Sequence, residues 1–113
     1  MSDWQDKSDF EINKSVTMIY GGFKESDYSG FSSNFHRGNP SQDNYKVGVI
    51  VDYCNNPSYA WPIILESKIS LNWTGGYWCV TSPFSGVHFS IKVDSDADVF
   101  KAAMIVYLEM NNA

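Results

Sequence analysis

The stretch DYCNNPSYAWPIILES, residues 52–67, decides how the chain divides. Asn56 and Pro57 read as a helix start. The Asn side chain accepts a backbone N–H, and proline occupies the first helical position, where a missing N–H is no loss. Asn55 tolerates left-handed backbone geometry, which lets the chain turn sharply out of a preceding strand. Trp61, Ile64 and Leu65 fall at helical spacing, so they are expected to form one apolar face with Trp61 as its buried anchor. Pro62 removes the hydrogen bond to the Ser58 carbonyl and predicts a kink or restart. The dense run of unusual residues is therefore a strand-to-helix corner rather than a catalytic loop.

Working outward, Tyr45, Val47, Val49, Val51 and Tyr53 alternate with Lys46, Gly48, Ile50 and Asp52, which predicts a strand leading into the corner. Beyond it, ISLNW and YWCVTS flank a Gly-containing turn and read as a hairpin. VHFSIKV alternates again, with Val87, Phe89, Ile91 and Val93 inward and His88, Ser90 and Lys92 outward. Ser8 and Glu11 make a capping box for a first helix over about Asp9–Met18, and Ser95 or Asp96 caps a last helix over about Ala97–Met110. Residues 20–44, rich in Gly, Ser, Asn and Pro, read as a long loop set with Phe23, Tyr28, Phe31 and Phe35. The expected fold is α+β: one domain over residues 1–113, with a small, mainly antiparallel sheet of about four strands packed against two to three helices.

Composition narrows the function classes. The 113 residues are 43% hydrophobic and 16% aromatic, so some rings must lie in a groove or an exposed patch. A net charge of −5, with Arg37 the single arginine, argues against nucleic-acid binding, whose affinity comes largely from Lys and Arg on phosphates. No segment approaches the length of a membrane span and none resembles a signal peptide, so a cytoplasmic protein with reduced Cys54 and Cys79 is expected.

Site chemistry is sparse. Cys54, Cys79, His36 and His88 lack ligand-like spacing, so no metal is expected. Asp94–Asp98 starts like a calcium loop, but Val99 and Ile105 stand where the glycine and the bidentate glutamate belong. No nucleophile, phosphate-loop or metalloprotease motif appears, so neither catalytic residues nor a cofactor are assigned. The one constellation suited to a ligand is FSSNFHRGN, residues 31–39: Phe31, Asn34, Phe35, His36 and Arg37 combine ring faces, an amide and a guanidinium able to fork onto phosphate or carboxylate. Trp73 and Trp78 of the hairpin are expected to complete that site.

SDFEIN near the start, DYCNNPSYAWPIILESKISL in the middle and KAAMIVYLEM at the end resemble the NinX-type family of phage accessory proteins. The three blocks keep their order along the chain. The resemblance implies a small phage-encoded protein in the cytoplasm of the infected host, and it supplies no enzymatic activity. Joined to the aromatic–Arg loop, it gives the expectation of a non-enzymatic counter-defence protein that sequesters a small anionic or nucleotide-derived signal. The alternative is a protein-interaction module that binds and inhibits a host protein. No nucleic-acid or membrane partner is expected, and a homo-oligomeric contact through the last helix is left open.

Overall fold

In the computed structural model the described residues are 4–30, 34–38, 41, 43–83 and 89–111. The chain's last helix explains the layout. α3 (Val99–Met110) buries every residue from Ala102 to Leu108. A helix apolar on all sides must be surrounded. α3 packs against α1 (Asp9–Gly21), α2 (Pro57–Ser67) and the strands β5 (Tyr77–Thr81) and β6 (Ser90–Val93). Ile12 and Val16 from α1, Ala60, Ile63 and Ile64 from α2, Val80 and Ile91 from the sheet, and Met104 and Leu108 from α3 form the shared core.

Two antiparallel three-stranded sheets are present among the described residues, where the sequence pattern predicts a single sheet. One holds β4 (Ser70–Thr74), β5 and β6 in that order, with Trp73 opposite Trp78 and Val80 opposite Ile91. The other holds β1 (Tyr28–Ser29), β2 (Asn34–Arg37) and β3 (Lys46–Val49), with Phe35 opposite Gly48. The α+β class stands, while the expected loop over 20–44 is corrected. It contains a 3-10 turn (Glu25–Asp27) and two strands. Composition misleads here because the fragments are only two to four residues long and are held by ring packing rather than by strand propensity.

That packing centres on Phe23. Its ring stacks on Phe35 at 5.5 Å, and Phe35 also meets Tyr28 at 5.5 Å. Lys14 Nζ lies 4.0 Å from the Tyr28 ring and Lys46 Nζ 5.0 Å from that of Phe23, so each cation closes one end of the aromatic cluster. Gly48 sits beneath the Phe23 ring, where a Cβ would fall 2.4 Å from Cε2.

The starts of α1 and α2 agree with the sequence, while Ser95 caps a 3-10 turn (Asp96–Asp98) that leads into α3 at Val99. Ser8 Oγ accepts from the Glu11 N–H at 3.2 Å, Asn56 Oδ1 from the Ser58 N–H at 3.0 Å, and Ser95 Oγ from the Ala97 N–H at 3.2 Å. α1 continues through β-branched Val16 and Thr17, both buried, with the Thr17 hydroxyl donating to the Asn13 carbonyl at 2.9 Å, and it ends at left-handed Gly22 (φ 75°).

α2 brings two corrections. Pro62 does not break it, because Ser58 and Pro62 lie on the exposed side, where water can satisfy the freed carbonyl. Trp61 is not its buried anchor. Trp61 is 47% exposed and Leu65 53%, whereas Ala60, Ile63 and Ile64 face the core. The helix is apolar nearly all round, so periodicity offers two stripes, and the one with small Ala60 allows the closer approach to α3.

Gly48→Ala should therefore destabilise the fold by about 1–3 kcal/mol, the usual penalty for overpacking, through displacement of Phe23. Urea unfolding measures this. Pairing the change with Phe23→Leu should recover part of the loss.

Candidate interaction surface

The seven residues that the sequence marks as a ligand site fall into different settings. Phe31 lies outside the described residues. Asn34, Phe35, His36 and Arg37 form β2, while Trp73 and Trp78 belong to the other sheet. Phe35 is fully buried and its ring is occupied by Phe23 and Tyr28. Asn34 Oδ1 accepts from the Ile50 N–H at 3.4 Å, extending the β2–β3 pairing. His36 Nδ1 shares a 2.6 Å hydrogen bond with the Tyr45 hydroxyl and stacks on that ring. Arg37 Nε pairs with Asp27 Oδ2 at 3.4 Å, a structural use for the arginine that the sequence does not reveal. Trp73 and Trp78 meet edge to face at 5.5 Å, and the Trp78 indole donates to Asp96 Oδ1 at 2.6 Å. Trp73 remains 55% exposed.

A recess of about 220 Å³ lies between β6 and α3, floored by Ile91, Val93, Ala102 and Ile105 and edged by Asp98 and Lys101. None of the seven marked residues lines it.

The polar residues of the corner find their purpose at a junction of three elements. The buried Asn13 amide donates to Asp52 Oδ1 at 3.0 Å and accepts from the Cys54 N–H at 3.1 Å. Asn55 Nδ2 reaches Asp9 Oδ2 at 2.9 Å and both Asp52 oxygens at 3.1 Å. Lys101 Nζ closes the set on Asp9 Oδ1 at 2.9 Å. The Asn55 hydrogen bond and Lys101 lower the Asp9 pKa, and the bond to Asp9 raises that of Lys101. Cys54 is wholly buried beside this cluster, and desolvation, reinforced by Asp9, pushes its thiol up to about 12. A thiol so placed stays protonated at neutral pH and is a poor nucleophile. Among the described residues no group of three or more His, Cys, Asp or Glu could hold a metal ion.

What the junction leaves free is the outer side of α2. Tyr59, Trp61 and Leu65 are each about half exposed, and Pro62 is exposed between them. At 100° per residue they lie opposite Ala60, Ile63 and Ile64. Glu66 borders the surface and accepts from the Tyr20 hydroxyl, which raises the Tyr20 pKa to about 12 and holds that half-exposed ring against the helix end. The sequence did hold a signal for this face. Pro62 orphans the Ser58 carbonyl, an orphan carbonyl needs water, and the side of α2 carrying Ser58, Pro62 and Leu65 must then point outward.

A small α+β protein with two three-stranded antiparallel sheets, whose last helix is buried against two other helices and one of those sheets, is the class that these elements define. The family described as "Bacteriophage P22, NinX" matches residues 3–111, and the chain belongs to it. No curated protein and no solved structure matches the chain. The three blocks that carry the resemblance meet at the polar junction, through Asp9 and Asn13, through Asp52, Cys54 and Asn55, and through Lys101. Among the described residues no helix is long and apolar enough to cross a membrane.

The two thiols should differ in reactivity. At pH 8, iodoacetamide should label the partly exposed Cys79 and leave Cys54 unmodified until urea unfolds the chain. Peptide mass spectrometry reads both sites, and equal labelling of Cys54 in the folded protein would contradict its burial.

Proposed function

We propose that this phage-family protein is a non-enzymatic interaction module, acting inside the infected cell, that docks on a host protein through the outer face of α2. The observation that supports the reading is the exposure of Tyr59, Trp61 and Leu65 on the side of α2 turned away from the core. An apolar surface of that kind on a small chain marks an interaction site. Trp and Tyr are the residues that most often dominate binding energy at the centre of an interface. Three half-exposed large side chains offer roughly 300 Å² of apolar area, enough for the centre of a standard interface but not for the whole of it. The remainder is a rim, and its charge selects the partner. Glu66 borders the patch and the chain carries a net −5, which fits a host surface with an apolar centre and a basic rim.

The same reading accounts for Trp61 without a ligand pocket. It replaces the expected sequestration of an anionic or nucleotide-derived signal as the first choice, because Phe35 is buried and Arg37 has Asp27 as a partner.

The test uses Trp61→Ala and Leu65→Ala. Both changes are on the surface, and each should leave stability within about 1 kcal/mol of the parent. A host protein recovered with the parent chain and then purified should bind Trp61→Ala at least ten-fold more weakly, as at an interface hot spot, and the affinity of the parent should fall as salt screens the charged rim. Parent-like affinity in both variants would move the contact elsewhere. Loss of self-association in the variants would assign the face to a second copy. A thermal shift with cyclic nucleotides that Arg37→Ala removes would restore the sequestration reading.

A further inference from the structure

The geometry points to β4 as a pairing edge for a second copy of the chain, and we propose that two copies join their three-stranded sheets antiparallel through it. The hairpin between β4 and β5 has the two-residue loop Gly75-Gly76, with positive φ at both positions (52° and 126°). Such a loop closes on a hydrogen-bonded pair, here Thr74 with Tyr77, and hydrogen-bonded pairs then alternate along an antiparallel ladder. Ser70, Asn72 and Thr74 therefore bond inward to β5, and the backbone N–H and C=O groups of Leu71 and Trp73 point to the open side. Among the described residues no strand pairs with that side of β4.

Edges of this kind are normally protected by a charge, a proline or a bulge. SLNWT has none of these, and its register with β5 is unbroken over five residues. β6, the other edge of the same sheet, does carry a charge, Lys92. The difference selects β4.

A second copy of β4 satisfies this edge. A two-fold axis at Asn72 sets Leu71 of one copy opposite Trp73 of the other, and both outward groups of each residue find partners, making four hydrogen bonds. Leu71 and Trp73 share the face of the sheet that carries Trp78 and Val80. Trp73, 55% exposed in the single chain, then lies beside the partner's Leu71 side chain. No charge meets a like charge across the axis, and the net charge of each copy is screened over roughly 8–10 Å in physiological salt. The surface is separate from the outer face of α2, so each can be tested without the other.

Disulfide trapping reads the register directly. In a Cys79→Ser background, Asn72→Cys places two thiols opposite each other on the axis and should give a covalent dimer under mild oxidation. Ser70→Cys in the same background sits two residues from the axis on each copy, too far to bridge its own counterpart, and should stay monomeric. Sedimentation of the unmodified chain up to millimolar concentration should show a reversible dimer. Asn72→Lys, an exposed change that sets two ammonium groups face to face, should abolish it with the circular dichroism spectrum unchanged. A chain that stays monomeric throughout, or a Ser70→Cys dimer formed as readily as the Asn72→Cys one, overturns the proposal. So does a dimer indifferent to Asn72→Lys, and one dissolved by Trp61→Ala alone would place the contact on α2.

Discussion

The carboxamide of Asn13 is the constraint on which the rest depends. It lies buried on α1, and an unpaired amide there would be costly, so it fixes whatever satisfies it. It takes the Cys54 N–H with its oxygen and Asp52 with its nitrogen, and thereby locks the segment leading from the first sheet into α2 against the first helix. Asn55 and Lys101 extend the lock through Asp9 to α3. These bonds act together. Each member has its rotamer limited by another, so adding one more bond orders few further degrees of freedom. Asp9 and Lys101 are partly exposed, and their ion pair by itself adds little. Its value is positional.

Much of the fold was legible in the sequence, because the signals that set it are local. Ser8, Asn56 with Pro57, and Ser95 each start a helical segment where the capping chemistry predicts. ISLNW and YWCVTS, with the pair of glycines between them, produce the expected hairpin as β4 and β5. The segment at 20–44 was not legible, since its order comes from Phe23 meeting Phe35 and Gly48, residues 12 and 25 positions away in the chain. Turn-rich composition describes such a segment correctly residue by residue and still misses the long-range packing.

The marked residues have structural partners that lie far from them in the sequence. Phe35 and Arg37 looked functional because nothing nearby in sequence could use them. Phe23 and Asp27 use them, each about ten residues away. Trp61 looked structural because it sits in a helix with apolar neighbours, yet a helix apolar on every side cannot bury every side. The residues left over, Tyr59, Trp61 and Leu65, are the large apolar groups that the core does not need. Membership of a phage protein family sets the context for this surface, and its exposed Tyr59 and Trp61 are residue types enriched at interface cores.

The corner between the first sheet and α2 stands or falls on the junction at Asn13. Amide hydrogen exchange at Cys54, followed in the parent chain and in Asn13→Ala, tests it most directly. The parent should protect the Cys54 N–H along with the slowest amides of α3. The variant should lose that protection by orders of magnitude while the amides of Ala102–Leu108 remain slow, because only the lock and not the core has been removed. If the Cys54 amide stays protected in the variant, the corner is held by packing alone and Asn13 is not its keystone.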